Sequence, residues 1–143
     1  MNGRRILVDS NILIYFSKGL LRIVDVLNDH DRLYISVITY MEVLGFPFEK
    51  AEEKVLMKQL LDYFEVVYIN SEIAELVISF KQKKKIKLPD AIILATAKWT
   101  HCDLLTRNIK DFKNITKGVK LIDPFKTRKN YLKSLPTSQA VAN

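Results

Sequence analysis

The sequence predicts a single α/β domain in three layers, with a largely parallel five-stranded sheet flanked by helices. Short apolar runs alternate with helical stretches along the chain. The runs are continuously apolar, as expected for strands that are buried on both faces. Strands that alternate with helices form parallel sheets through crossover connections. A length of 143 residues, 48% of them hydrophobic, suits one domain with an ordinary core.

The first apolar run, residues 6–8, predicts a strand. Residues 9–11 are Asp, Ser and Asn, which favour helix N-caps, so we expect a helix to start there and include residues 12–16. Residues 20–28 have apolar side chains at helical spacing and predict a second helix.

The next segment predicts a strand followed by two helices. Residues 33–35 form the strand, and Ser36 is placed to cap a helix that runs to about Leu44. Residues 49–64 form an amphipathic helix. The side chains expected to face the core from this helix are Val55, Leu56, Leu60, Leu61 and Phe64.

The second half of the chain continues the same alternation. Strands are expected at residues 66–69, 104–105 and 119–122. One helix starts at Asn70 or Ser71 and runs to about Lys84, and another starts near Pro89 and runs to about Trp99, whose side chain we expect in the core. We assign residues 1–125 to the domain and expect 126–143 to form a basic, loosely held tail.

Charge is distributed unevenly between the two halves. Residues 1–80 carry 8 Lys/Arg and 12 Asp/Glu, a net −4, whereas residues 81–143 carry 15 Lys/Arg and 4 Asp/Glu, a net +11. Such an asymmetry points to a polyanionic partner for the second half. A solvated lysine-rich surface without a partner is the alternative interpretation.

Two further features concern the cellular compartment. The single cysteine, Cys102, excludes an intrachain disulfide, which fits a reducing environment. No stretch approaches the ~20 apolar residues of a membrane span, and Asp9 and Asn11 interrupt the N-terminal apolar run that could otherwise resemble a signal peptide. We therefore expect a cytoplasmic protein with no membrane partner.

Three acidic residues stand alone in apolar segments. Asp9 is the only charged residue in 6–17, Glu42 in 33–48 and Asp90 in 88–97. An ionised carboxylate in apolar surroundings is costly unless it is compensated, and a bound cation is one compensation. Mg²⁺ and Mn²⁺ prefer oxygen ligands, so converging carboxylates predict a divalent metal site.

The topology predicts that these acids converge, because ligands of parallel α/β sheets bind beyond the carboxyl ends of the strands. Asp9 and Asp111 follow strands, and Glu42 and Asp90 lie on helices that could reach the same edge. Each acid also has a simpler interpretation. Asp9 could simply cap the next helix. Asp90 could be an acid in the first turn of a helix, where the helix dipole favours a negative charge, and Glu42 and Asp111 could face solvent.

Four segments resemble the acidic motifs of PIN domains, in the order of that family. They are residues 6–14 (ILVDSNILI), 36–43 (SVITYMEV), 88–97 (LPDAIILATA) and 104–112 (LLTRNIKDF). The resemblance implies a metal-dependent endoribonuclease that uses Mg²⁺ or Mn²⁺. It places Asp9, Glu42, Asp90 and Asp111 as catalytic, metal-binding acids, supported by Asn11, Thr106 and Asn108.

Small single-domain members of this kind resemble VapC toxins, which form homodimers and are inhibited by a VapB-like protein antitoxin. One departure concerns the third motif. Some members carry a second acid there, whereas Ala91 and Ile92 follow Asp90 in this sequence. The number of metal ions is therefore left open.

An RNA substrate would also require positive charge near the acids. The basic residues predicted to bind RNA are Lys83, Lys84, Lys85, Arg107 and Lys110. The alternative function is a catalytically inactive PIN-fold module that binds RNA or protein. A receiver-type phosphoacceptor domain fits less well, because Asn11 and Asn70 stand where such domains need acids, and no G-x-G-x-x-G motif supports a dinucleotide enzyme.

Overall fold

The computed structural model describes residues 3–21 and 24–126. Five strands lie in this part of the chain: β1 (Arg5–Val8), β2 (Arg32–Ser36), β3 (Glu65–Val67), β4 (Asp103–Leu105) and β5 (Leu121–Ile122). The helices are α1 (Ser10–Ser17), α2 (Val24–Asn28), α3 (Val37–Leu44), α4 (Ala51–Leu61), α5 (Ser71–Lys83), α6 (Leu88–Thr100) and α7 (Ile109–Phe112). A 3-10 turn follows at Pro124–Lys126.

All five strands are parallel, in the order β3-β2-β1-β4-β5. The chain adds β2 and β3 on one side of β1 and then crosses back to add β4 and β5 on the other. The carboxyl ends of β1 and β4 therefore lie side by side at a topological switch point, where α/β sheets bind their ligands. The five-stranded, parallel α/β architecture predicted from the sequence is confirmed.

The central strand β1 supplies apolar side chains to a core on each face of the sheet. Ile6 and Val8 pack into the core formed with α1 and α4, and Leu7 packs into the core formed with α5 and α6. This alternation follows from the two-residue period of a strand. All three side chains are fully buried, because helices cover both faces.

Polar side chains start the helices where the sequence places them. Asp9, Ser36 and Asn70 are the N-caps of α1, α3 and α5, and each side chain accepts a hydrogen bond from a backbone N–H in the first turn. Pro89 lies in the first turn of α6, where a missing N–H costs nothing.

Several elements are shorter than predicted, and one was not predicted. The helix expected over 49–64 is α4, Ala51–Leu61, and the strand expected over 66–69 is β3, Glu65–Val67. Of the helix expected over 20–28, the described residues contain α2 at Val24–Asn28, while Gly19 turns the chain with φ 73° and Leu21 is buried in non-helical backbone. The strand expected over 119–122 is reduced to β5, and the short helix α7 was not anticipated. Of the predicted tail 126–143, all but Lys126 lies outside the described residues. No helix among the described residues is long and apolar enough to cross a membrane.

The predicted buried face of α4 is wrong at two positions. Val55 is 55% exposed and Leu56 is also exposed, whereas Met57 is completely buried and Leu60 nearly so. The buried stripe therefore runs through Met57, Leu60 and Phe64, at spacings of three and four residues. The helix could be rotated either way on sequence alone, since apolar residues occupy both faces.

This orientation of α4 can be tested with two neighbouring substitutions. Met57→Ala should lower the free energy of unfolding by about 2–5 kcal/mol, because it leaves a cavity in the core. Val55→Ala, two residues earlier on the same helix, should change it by less than about 0.5 kcal/mol. Urea unfolding followed by circular dichroism measures both, and equal losses for the two variants would contradict the orientation.

Candidate active site

The carboxylate of Asp9 is held between the ends of two adjacent strands. Its backbone N–H donates to the carbonyl of Leu105 at 2.9 Å. Its side-chain Oδ1 accepts from the Ser10 backbone N–H at 2.8 Å, and Oδ2 accepts from the Thr106 hydroxyl at 2.7 Å. Only 6% of Asp9 is exposed. Backbone and side chain are thus both fixed by the β1–β4 junction.

Thr106 connects Asp9 to the loop after β4. Its hydroxyl donates to Asp9 and accepts from the Asn108 backbone N–H at 2.9 Å, so both functions of the hydroxyl are used. Thr106 is completely buried. The hydrogen bond from Thr106 to Asp9 therefore explains why the motif at residues 104–112 contains this threonine.

Glu42 reaches the same site from the second turn of α3. The Ser10 hydroxyl donates to Glu42 Oε1 and is also hydrogen-bonded to the Thr39 hydroxyl, at 3.1 Å. Thr39 is buried one turn before Glu42 on the same helix. Ser10 and Thr39 were not among the predicted site residues. The only sequence feature that could have identified them is their closeness to predicted acids: Ser10 is next to Asp9, and Thr39 lies three residues before Glu42.

A cleft of about 240 Å³ lies at the carboxyl edge of the sheet, in front of these residues. Asp9, Glu42 and Asp90 all line it, so the structure brings together three of the four predicted acids. The predicted supporting residues Asn11 and Asn108 also line the cleft. Its remaining walls come from Ser10, Ile14, Val43, Phe46 and Ile93.

Asp111 is not among the lining residues of this cleft. It lies on α7, exposed, and faces a neighbouring concavity together with Lys85, Ile86, Lys87 and Asp90. Asp90 borders both concavities. The expectation that all four acids surround one pocket therefore holds for three of them, and Asp111 approaches from the far side of Asp90.

Burial and mutual repulsion make the ionised forms of two acids costly. Burial is the largest cause that raises the pKa of Asp9, with smaller contributions from Asp90 and Glu42, although hydrogen bonds from Thr106 and Ser10 oppose the shift. Burial also raises the pKa of Asp90, and the charges of Asp111 and Glu42 add to it, while Lys87 opposes them. Asp90 is thus electrostatically connected to acids on both of its sides.

The simpler interpretations of the acids are now distinguishable. Asp9 does cap α1, so capping and a place in the cleft occur together. Asp90 accepts no hydrogen bond from the described residues, although it lies in the first turn of α6. Glu42 is largely solvent-accessible, but its carboxylate is tied to Ser10 within the site.

The predicted RNA-binding residues occupy different places. Lys85 lines the concavity that contains Asp90 and Asp111, whereas Lys83 and Lys84, at the end of α5, line neither concavity. Arg107 places its guanidinium 4.1 Å from the centre of the Phe125 ring, and Lys110 is exposed on α7. Trp99 was expected in the core, but 38% of it is exposed.

The donor chemistry of the cleft fits a divalent cation. Asp9, Glu42 and Asp90 offer only oxygen ligands, and the raised pKa values of Asp9 and Asp90 reflect burial and repulsion that a cation would compensate. Within residues 3–21 and 24–126, however, no three His, Cys, Asp or Glu side chains are already arranged as a metal-binding group.

Comparison with known proteins gives one family and several related structures. The PIN domain family model matches residues 6–118. A toxin–antitoxin complex from Klebsiella pneumoniae contains a chain with 37% identity and a TM-score of 0.70, covering 85% of this chain and 99% of that one. VapBC-1 from nontypeable Haemophilus influenzae matches with 28% identity, a TM-score of 0.70 and the same coverage. No curated protein matches.

The electrostatic strain at Asp90 leads to a stability prediction. In a chelating buffer at neutral pH, Asp90→Asn should melt at or above the wild-type temperature, because the substitution removes a carboxylate whose ionised form the folded state disfavours. Because its pKa is raised in the folded state, the unfavourable contribution of Asp90 to wild-type stability shrinks as pH falls towards the ordinary value of 3.8. The advantage of the variant should therefore be largest near neutrality and vanish on acidification.

Differential scanning calorimetry across this pH range tests the prediction. Glu75→Gln, on an exposed face of α5, is the control for the change in net charge and should not gain stability. A clear loss of stability in Asp90→Asn at neutral pH would show instead that the acid mainly stabilises the start of α6.

Proposed function

The chain belongs to the PIN-domain family, and on that premise we propose that it is a metal-dependent endoribonuclease, the toxin of a toxin–antitoxin pair. The observation that carries the proposal is the cleft at the β1–β4 switch point, lined by Asp9, Glu42 and Asp90. Clustered carboxylates repel a phosphodiester unless a cation lies between them, so this donor set is better suited to metal-assisted hydrolysis than to direct anion binding.

The residues that would hold the cation are Asp9, Glu42 and Asp90, with Asp111 contributing from the far side of Asp90. A divalent cation in this position, Mg²⁺ or Mn²⁺, supplies an activated water and neutralises charge on the phosphate. Carboxylates from β1, α3 and α6 can approach one another because α1 and the sheet hold their backbones at one edge.

The chain's own polar groups keep the first acid in place. The donors from Thr106 and Ser10 favour the ionised form of Asp9 and fix its orientation, which is the requirement for a metal ligand. The Ser10 hydroxyl also donates to Glu42, and its hydrogen bond with the Thr39 hydroxyl helps to fix its orientation. Asn11 and Asn108 have amide groups at the cleft that can hydrogen-bond to a substrate or a bound water.

The substrate proposal rests on charge and on the place of the cleft. The basic second half of the chain supplies α6 and α7, and Lys85 and Lys87 from this half line the concavity that adjoins the cleft at Asp90. Arg107 and Lys110, which follow β4, can contact phosphates on that side of the cleft. The contribution predicted for Lys83, Lys84 and Lys85 is considered separately below.

The antitoxin proposal is supported by the related structures and by an apolar surface. The relatives from Klebsiella pneumoniae and Haemophilus influenzae are components of toxin–antitoxin and VapBC structures. In this chain α3 and α4 are in contact, and together they expose apolar side chains, namely Tyr40, Met41, Val55 and Leu56. Such a surface suits an apolar helix of a partner.

From sequence alone, Ile38, Met41, Leu44, Phe46 and Phe48 are the residues expected to form an apolar groove for an antitoxin helix. Of these five, Ile38, Leu44 and Phe48 pack partly against the cores, and Met41 is the one that is exposed. Phe46 lines the cleft, so a helix on this surface could direct a basic side chain towards Asp9 and Asp90. Formation of a homodimer stays a prediction.

Metal-dependent RNA cleavage is the central prediction. The purified protein should cleave single-stranded RNA with Mg²⁺ or Mn²⁺ and lose activity in EDTA, because the acids alone cannot activate water. Asp9→Asn and Asp90→Asn should each reduce the cleavage rate by roughly 100-fold or more. Gel analysis of a labelled RNA measures the rates.

The control for these variants is Asp62→Asn, which removes an exposed carboxylate after α4 and should cleave at the wild-type rate. Undiminished cleavage in EDTA, or in either active-site variant, would refute the mechanism. RNA binding without cleavage in every metal would favour the inactive PIN-fold module instead.

The toxin role predicts a growth phenotype. Induced expression in a bacterial host should arrest growth, Asp9→Asn should not, and co-expression of the adjacent small reading frame should restore growth by forming a stable complex. Colony counts and co-purification measure these effects. If the wild-type protein leaves growth unaffected and the neighbouring frame encodes no binding partner, the toxin role fails, although the nuclease activity could still be present.

A further inference from the structure

A second concavity adjoins the cleft across Asp90. It has a volume of about 330 Å³ and is lined by Lys85, Ile86, Lys87, Asp90 and Asp111. Asp90 also lines the carboxylate cleft, so one side chain separates the two spaces. A ligand that continues beyond the carboxylate cleft past Asp90 would therefore meet the two lysines next.

The short segment between α5 and α6 presents these lysines at the surface. Lys84 and Lys87 have extended backbone angles, with ψ of 156° and 147°. Ile86 is only 6% exposed and is part of the core beneath α5 and α6. Lys85 and Lys87, on either side of Ile86 in the sequence, are both exposed and both line the concavity.

A side-chain hydrogen bond secures the same turn. The Lys81 ammonium group donates to the carbonyl of Ile86 at 2.7 Å, so Lys81 is used for structure and is not directed at the concavity. Burial of Ile86 and this hydrogen bond together hold the positions of Lys85 and Lys87 before any ligand arrives.

The two lysines are available to a ligand. Within the described part of the chain, neither forms an ion pair within 4.0 Å, and both are exposed. The concavity also contains Asp90 and Asp111, so the two positive charges face two negative ones. A free anion would gain little there, whereas a phosphate that is covalently linked to a group in the neighbouring cleft is presented at high effective concentration.

We propose that Lys85 and Lys87 form a phosphate subsite for the RNA nucleotide next to the bond that is cleaved, on the far side of Asp90 from Asp9. The inference rests on the proposed function. It adds a path for the RNA, which would run from the carboxylate cleft across Asp90 to the turn between α5 and α6. It also separates Lys85 and Lys87 from Lys83 and Lys84, which end α5 and line neither space.

The test measures RNA binding by matched double variants. Fluorescence anisotropy of a labelled single-stranded RNA is recorded in Mg²⁺ on the full chain carrying Asp9→Asn, which prevents cleavage during the titration. Lys85→Ala with Lys87→Ala should weaken binding roughly tenfold and reduce the salt slope of log K by roughly 1.4, because two phosphate contacts are lost. Lys85→Arg with Lys87→Arg should retain both.

Two comparison variants separate a local subsite from general charge. Lys54→Ala with Lys58→Ala removes the same charge from exposed positions on α4 and should leave affinity within twofold. Lys83→Ala with Lys84→Ala should weaken binding less than the Lys85 and Lys87 pair. In otherwise wild-type protein, the Lys85 and Lys87 double variant should raise KM and leave kcat within about threefold, because it removes binding and not chemistry.

The outcomes are distinct. The subsite would be overturned if the Lys85 and Lys87 double variant kept the full RNA affinity, or if the Lys83 and Lys84 double variant lost as much affinity. In either case the wild-type protein would still cleave RNA, so the proposed function would stand. A wild-type protein that neither binds nor cleaves RNA would overturn the proposed function as well, and this is visible without any variant. Melting temperatures confirm that each variant is folded.

Discussion

A carboxylate withdrawn from solvent at the end of the central strand is the constraint on which this structure depends. Asp9 is almost completely buried, and an isolated buried charge costs several kcal/mol unless donors or a cation compensate it. The chain supplies the Thr106 hydroxyl and the Ser10 N–H. The Ser10 N–H is the next group along the chain, whereas the Thr106 hydroxyl reaches Asp9 only because β4 lies beside β1, so the order of the strands is also a condition for the chemistry.

The donors reduce the cost of Asp9 without eliminating it. Its pKa remains raised by burial and by the charges of Asp90 and Glu42. Buried carboxylates of this kind lower the free energy of unfolding of the domain. The two apolar cores, one on each face of the sheet, must supply enough stabilisation to keep it folded. The same repulsion between carboxylates would make a cation favourable in the cleft.

The fold brings the acidic first half and the basic second half of the chain together at one edge of the sheet. The acidic first half contributes Asp9 and Glu42, and the basic second half contributes Asp90 and Asp111 together with Lys85 and Lys87. The parallel crossovers bring both halves to one edge of the sheet. Asp90 and Asp111 are then bordered by the ammonium groups of Lys85 and Lys87, an arrangement that would let carboxylates approach the phosphates of a polyanion.

Local signals were sufficient for much of the fold. The continuous apolar run of β1, the caps Asp9, Ser36 and Asn70, and Pro89 in the first turn of α6 were all readable because each acts within a few residues of its own position. The isolation of acidic residues in apolar segments likewise identified Asp9, Glu42 and Asp90 as candidates before any geometry was known.

Only the tertiary structure decided which side chains meet. Apolar residues on both faces of α4 left its rotation undetermined, and packing against the sheet buried Met57 and exposed Val55. The link between Ser10 and Glu42 spans 32 residues, and the separation of Asp111 from the cleft depends on α7, which carries no strong sequence signal. By itself the sequence determined the elements and the candidate acids, because backbone preferences are local. Strand order and helix rotation determined the site, because these depend on contacts between segments far apart in the chain.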